Sequence, residues 1–294
     1  ARPAICRRLN QTWPSRKRSS TRLSPSRRRP FLLLQRMTID LTGTTALVTG
    51  ATRGIGRAVA KQLVASGARV ALHHSGRSPE AAQAQAEALG GIALASDLRD
   101  PRNAQSLWRE TMEALGCVDV VVANAGVFVE APPEADLDVW LEAWDTTVAV
   151  NLTSLAVLAK EALAHWAERH AASGAAEVVG RLVTVSSRAA FRGDDPAFLA
   201  YAASKGGVVS LTKSIARGWG RRGVAAFGVA PGFVRTDMAS GAIAADAAGL
   251  DAQTALGRIA EPEEVAPTVV FLASGLADHA TGTTVDVNGA SYVR

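Results

Sequence analysis

Apolar positions fall into two kinds of run that alternate from residue 44 to the C-terminus. Short, nearly unbroken apolar runs close on glycine or polar residues: TTALVTG (44–50), RVALHH (69–74), GIALASDL (91–98), VDVVVANAG (118–126), GRLVTVSS (180–187), GVAAFGVAPG (223–232) and TTVDVNG (283–289). Each has the length and composition of a buried strand. Between them lie longer stretches with helical spacing: residues 56–68, halted at Gly67; 78–90, with Ser78 as N-cap and Pro79 in the first position; 102–116; roughly 135–172; 200–220; and 261–274.

Strands alternating with helices of ten or more residues predict an α/β fold, a doubly wound parallel sheet with helices on both faces. No solenoid-length repeat and no linker interrupts the pattern, so residues 37–294 read as one Rossmann-type domain. A ligand is then expected beyond the carboxyl ends of the strands.

The first strand runs into TGATRGIG (49–56), between the first predicted strand and the first predicted helix. Gly50, Gly54 and Gly56 permit a tight turn, close approach to a pyrophosphate and close helix–sheet packing. The helix N-terminus offers N–H donors and a positive dipole end. Gly50, Thr52, Arg53, Gly54, Ile55 and Gly56 are therefore candidate dinucleotide contacts. The second strand ends in VALHHSGRS, without the carboxylate that bonds a ribose 2′-hydroxyl and repels a 2′-phosphate. Arg53, Ser75 and Arg77 stand there instead, and guanidinium groups suit phosphate. NADP(H) is the preferred cofactor, with NAD(H) as the alternative.

TGATRGIG, ANAG (123–126), Asn151, the serine pair 186–187, YAASK (201–205) and PGFVRTDM (231–238) together resemble the short-chain dehydrogenase/reductase superfamily, in its short single-domain branch. The resemblance covers nearly everything after Met37. It implies a catalytic set of Asn151, Ser187, Tyr201 and Lys205. The Ser–Tyr spacing is one residue longer than the family usually shows, which keeps Ser186 open beside Ser187. It also implies cofactor contacts from Asp97 and Leu98 at the adenine, from Asn124, Ala125, Gly126, Tyr201, Lys205, Pro231, Gly232 and Val234, and from Thr236 at the nicotinamide carboxamide. By resemblance residues 237–259 form a mobile substrate lid, and the protein is a homotetramer.

Tyr201 and Lys205 stand four apart on a predicted helix, hence on one face. A tyrosine hydroxyl with its usual pKa near 10 exchanges protons poorly at neutral pH, and a nearby ammonium favours the phenolate. The family reading makes Tyr201 the general acid in reduction and the base in oxidation, and gives Lys205 the tuning of Tyr201 and the nicotinamide ribose. It gives Ser187 the substrate oxygen, and Asn151 a water in a proton relay. The expected activity is NADPH-dependent reduction of a ketone, of the 3-oxoacyl-acyl-carrier-protein reductase kind. An alcohol or sugar dehydrogenase running oxidatively is the alternative, and a non-catalytic dinucleotide sensor is disfavoured by the intact set.

Composition narrows partners rather than chemistry. The net charge of +5 divides into +11 over residues 1–36 and −6 over the remainder. The basic segment is rich in Arg, Ser and Pro, without apolar periodicity, and is expected to be disordered. Three readings compete for it: an extraneous extension, a targeting peptide or a nucleic-acid-binding arm, the first being preferred. The body is mildly acidic, so neither nucleic acid nor membrane is an expected partner; the partner is a small carbonyl or alcohol. The longest apolar run, residues 117–129, is too short to span a bilayer. Two cysteines allow no disulfide framework and no cysteine-rich metal site, no metal is expected, and the expected location is cytoplasmic. Trp140, Trp144 and Trp166 read as core or subunit contacts, His73 and His74 as loop neighbours of the cofactor, and Asp194 and Asp195 as either cleft rim or solvated charge.

Overall fold

Seven parallel strands form one sheet in the order β3-β2-β1-β4-β5-β6-β7 in the computed structural model, which describes residues 39–174 and 177–294. They are β1 (Thr45–Val48), β2 (Arg69–His74), β3 (Ile92–Ala95), β4 (Val120–Ala123), β5 (Gly180–Val185), β6 (Val224–Pro231) and β7 (Thr284–Val287). All seven coincide with the predicted apolar runs. Segment 1–36, with its three readings, lies outside the described residues.

The helices are α1 (Gly54–Ala65), α2 (Pro79–Leu89), α3 (Asn103–Leu115), α4 (Leu137–Val148), α5 (Ser154–Ser173), α6 (Ala189–Arg192), α7 (Leu199–Trp219), α8 (Ser240–Ala252) and α9 (Pro262–Ala273). Strand side chains alternate between two cores. Ala46, Val48, Val70, Leu72 and Phe227 pack with Val59 and Leu63 of α1 and Val269 of α9 on one face. Leu47, Val121 and Leu182 pack with α3, α5 and α7 on the other. Burial on both faces is why these strands read as unbroken apolar runs rather than alternating ones. Strand order reverses between β1 and β4, whose connections leave on opposite sides and open a crevice at their carboxyl ends.

Two local details depart from the sequence reading. Ser78 precedes α2, but its side chain caps no N–H; Pro79 begins the helix and Gly90, at φ 65°, ends it. The stretch read as one long helix contains a π turn at Ala149–Thr153 between α4 and α5. Among the described residues this is also the one helix, Leu137–Ser173, long and apolar enough to cross a membrane by length and composition. Half of its most apolar stretch is buried, and Leu158, Ala162 and Trp166 of α5 belong to the core. Trp166 is fully buried and donates to the Val118 carbonyl at 2.7 Å.

Candidate active site

The crevice is pinned by reciprocal bonds between β1 and β4. The Thr49 hydroxyl oxygen accepts from the backbone N–H of Asn124 and of Ala125, both at 2.9 Å. The Asn124 amide donates to the carbonyls of Thr49 at 2.9 Å and Gly50 at 3.1 Å. Bare backbone is obligatory here. Gly50 has φ +64° and would bring a Cβ within 3.1 Å of the Ala125 Cα, while a Cβ at Gly56 would collide with the Gly50 carbonyl oxygen. No side chain caps α1, so its first-turn N–H groups remain open to an anion.

His73 locks this turn from the second strand. Its Nδ1 accepts the Gly50 N–H at 3.1 Å, and its Nε2 lies 2.9 Å from the Ser96 carbonyl. Those two partners demand the neutral ring with the proton on Nε2. Burial pushes its pKa down to about 4, against the Ser96 bond, with His74 adding to the fall. His73 is thus a clamp joining the ends of β1, β2 and β3.

A groove of about 550 Å³ runs outward from the turn. Gly50, Thr52, Arg53, Gly54 and Ile55 line it, with Ser75 and Arg77 beyond β2, Asp97 and Leu98 beyond β3, and Asn124, Ala125 and Gly126 beyond β4. Thr236 closes it from the far side, its Cγ2 lying 2.9 Å from where a Gly54 Cβ would sit. Gly56 lies beneath the groove rather than on its wall. Arg99, which the sequence did not single out, donates through Nε to Asp97 Oδ2 at 2.9 Å. That bond, with the Arg77 charge as a lesser contribution, holds the Asp97 carboxyl below the usual carboxylate range. The room, the bare glycines and the open helix terminus all fit a dinucleotide.

The groove opens into a smaller cavity of about 140 Å³ at the ends of β4, β5 and β6. Ser186, Ser187, Tyr201 and Lys205 line it, as do Pro231, Gly232 and Val234. The two serines divide their work. Ser186 Oγ donates to the Lys205 carbonyl at 2.9 Å, tying β5 to α7. Ser187 Oγ accepts from the Ala189 N–H at 3.1 Å and shares the cavity wall with Tyr201.

Lys205 is 4% exposed and its Nζ donates to the Val185 carbonyl at 2.8 Å. Burial pushes its pKa down to about 8. Burial likewise pushes the Tyr201 hydroxyl up to about 12, the Ser187 bond opposing and the Asp194 charge adding. This corrects the expectation that the ammonium lowers the tyrosine. Nζ is engaged by Val185 and stands 5.8 Å from the Tyr201 ring centroid, so desolvation outweighs attraction.

Asn151 does not reach the cavity. The π turn points it inward, where Oδ1 accepts the Val127 N–H at 2.8 Å and Nδ2 donates to the Val127 carbonyl at 3.0 Å and to Ser204 Oγ at 3.1 Å. Gly126 separates it from Lys205: a Cβ there would stand 3.3 Å from Asn151 Oδ1 and 3.5 Å from Lys205 Nζ. The side-chain amide is therefore committed to holding the backbone after β4.

Several cavity residues escaped the sequence reading because nothing in their spacing marks them. Phe128 meets Tyr201 edge-on at 4.7 Å and stacks on Phe198 at 3.8 Å. Arg188, Arg192, Phe233 and Met238 complete the wall. The two aspartates separate: Asp194 lines the cavity, and Asp195 accepts the Ala197 N–H at 2.9 Å to cap the turn before α7. Residues 237–252, part of the stretch expected to form a lid, fold as a short 3-10 turn and then α8, kinked at Asp246.

Comparison with known proteins agrees with this geometry. The family described as enoyl-(acyl carrier protein) reductase matches residues 50–290. The chain belongs to the short-chain dehydrogenase/reductase family. It is an NAD(P)-dependent oxidoreductase of that family. Among similar proteins, the 3-oxoacyl-acyl-carrier-protein reductase of Escherichia coli is 36% identical over 87% of this chain and 100% of its own. L-rhamnose 1-dehydrogenase (NAD(P)(+)) of a Sphingomonas species is 36% identical over 86% of this chain and 98% of its own. A short-chain dehydrogenase of Burkholderia cenocepacia, solved in complex with NADP, superposes with a TM-score of 0.74 at 34% identity, covering 85% of this chain and 98% of that one.

Proposed function

We propose that this oxidoreductase reduces a ketone to a secondary alcohol with NADPH, Tyr201 acting as general acid. The observation that carries the reading is the pairing of Ser187 and Tyr201 on the wall of one cavity that opens directly into the nucleotide groove. A nicotinamide cofactor held in the groove by the Gly50–Gly56 turn, Asn124 and Thr236 would supply the hydride for the carbonyl carbon. Ser187 donates to the carbonyl oxygen where negative charge develops, and Tyr201 delivers the proton that completes the alcohol. Lys205 places a buried ammonium beside the phenolate that remains. Asn151 holds Val127, on the wall of the nucleotide groove, through both bonds to its backbone. Arg53 and Arg77, with no carboxylate at the end of β2, favour the 2′-phosphate, and the NADP complex of the Burkholderia relative supports the same choice. Likeness to the Escherichia coli reductase supports a carbonyl of the 3-oxoacyl kind in the substrate.

Oxidation of a sugar or other secondary alcohol is the second reading, favoured by likeness to L-rhamnose 1-dehydrogenase. A cytoplasmic homo-oligomer belongs to the same proposal, supported by the exposed Leu137, Val139 and Leu141 of α4. Consumption of NADPH and NADH with an acetoacetyl thioester and a panel of ketones tests the first reading; NADP+ reduction by rhamnose and simple secondary alcohols tests the second. Turnover confined to the alcohols would reverse the order.

A further inference from the structure

Arg188 carries a charge that the fold leaves unmatched. It follows Ser187 directly, its backbone N–H bonds the Pro231 carbonyl at 3.0 Å, and the residue is 4% exposed. Its guanidinium donates through Nη2 to Gln253 Oε1 at 3.0 Å and lies 4.9 Å over the Phe233 ring. Both contacts are to neutral groups. Among the described residues no carboxylate forms an ion pair with it. Asp194, on the same wall, sits 3.9 Å from Arg192 and faces that outer guanidinium instead. Burial lowers the Arg188 pKa, Arg192 adding and Asp194 opposing, yet a guanidinium stays charged at any working pH. A desolvated cation with one neutral acceptor costs stability unless an anion completes it.

The surroundings point the same way. Arg188, Arg192 and Lys205 line the cavity against the single carboxylate of Asp194. The cavity is small, about 140 Å³, and Ile55, Asn124, Gly126 and Thr236 of the nucleotide groove also reach its wall. Its hydroxyl pair, Ser187 and Tyr201, shares the space with Arg188. We propose that the substrate carries a carboxylate, taken by Arg188 while its carbonyl meets Ser187 and Tyr201, which makes the substrate class short oxo acids and the corresponding hydroxy acids. This rests on the reading of the cavity as the carbonyl site. The planar guanidinium fork matches a carboxylate edge. The competing role is a tie that holds α8, through Gln253, and Phe233 over the serine. A tie would not distinguish a free acid from its ester.

Calorimetric titration with NADP+ present compares acetoacetate, methyl acetoacetate and dihydroxyacetone phosphate on the wild type, Arg188→Met and Arg188→Lys. A charge-assisted bond predicts acetoacetate binding about 10- to 100-fold tighter than its ester in the wild type. In Arg188→Met that ratio should collapse toward one. Arg188→Lys should fall between, because it keeps the charge and loses the fork. In turnover with NADPH the same ratio should appear through KM. Equal binding of acid and ester by the wild type overturns the proposal, as does a ratio preserved in Arg188→Met or a tighter fit for the phosphate. Should Arg188→Met fail to fold by circular dichroism, the wild-type ratio and Arg188→Lys still decide. Selective binding of acetoacetate without NADPH consumption would remove the carbonyl-reductase reading and leave the anion site standing. Turnover of acid and ester alike would do the opposite.

Discussion

Lys205 donates its Nζ proton to the Val185 carbonyl at 2.8 Å, so an ammonium is held inside the protein by a main-chain oxygen rather than by a carboxylate. Burial sets its pKa near 8, below the usual 10.5. Between those values the unfolded chain binds more protons than the folded one, so this group makes stability rise with pH across pH 8 to 10.5. Below pH 8 its burial penalty is present in full. Lys205→Met should therefore stabilise the fold at pH 7 by about 1–2 kcal/mol, and raise Tm accordingly, once the loss of Val185's donor is set against the relief. The gain should vanish by pH 10.5, and turnover should be lost throughout. Thermal melts at pH 7, 9 and 10.5 check this; a Tm that falls at pH 7 would contradict it.

Tyr201→Phe removes one hydroxyl and keeps the edge-on contact with Phe128 at 4.7 Å. Turnover should fall about 10²- to 10⁴-fold, the range expected for a lost general acid. Tm and the NADPH dissociation constant, read by fluorescence quenching, should stay close to wild type. Near-normal turnover would take the proton donor elsewhere.

Gly56→Ala puts a methyl group against the Gly50 carbonyl and the Asn124 amide. The turn must open or α1 must move. An overpacked contact of this kind costs about 1–3 kcal/mol, and the NADPH dissociation constant should rise about 5- to 150-fold if the whole penalty falls on the bound geometry. Unchanged cofactor affinity would mean that the pyrophosphate sits elsewhere.

Arg77→Ala should shift cofactor choice rather than chemistry. Loss of a guanidinium–phosphate bond predicts a drop of about 10- to 100-fold in the NADPH-to-NADH ratio of kcat/KM. Rates with NADH should barely move. A wild type that uses both cofactors equally would sink the preference itself.

His73 supplies a pH signature of the fold. Its folded pKa of about 4 lies below the ordinary 6.5, so its contribution is present above pH 6.5 and is lost as pH falls toward 4. The contribution is on the order of 3 kcal/mol. Urea unfolding at pH 7, 5.5 and 4.5 should show His73→Asn with a shallower fall than wild type. Parallel curves would mean that the ring is not held neutral.

The sequence by itself determined the seven strands, because burial on both faces demands unbroken apolar runs such as TALV and VVVA, which periodicity displays directly. It also determined the turn at Gly50–Gly56 and the Tyr201–Lys205 pair, since both are local: a tight turn and an i, i+4 helix face need no distant partner. What only the tertiary structure decided is everything that depends on neighbours remote in the chain. Ser187 is distinguished from Ser186 by which hydroxyl the Lys205 carbonyl captures. Asn151 is withdrawn from the cavity by a π turn that no spacing announces. Tyr201 is raised because burial, with the Asp194 charge adding, depends on elements packed across the fold. Nothing in SSRAAF marks Arg188; its burial against Phe233 and Gln253, 45 and 65 residues away, is decided only by the fold.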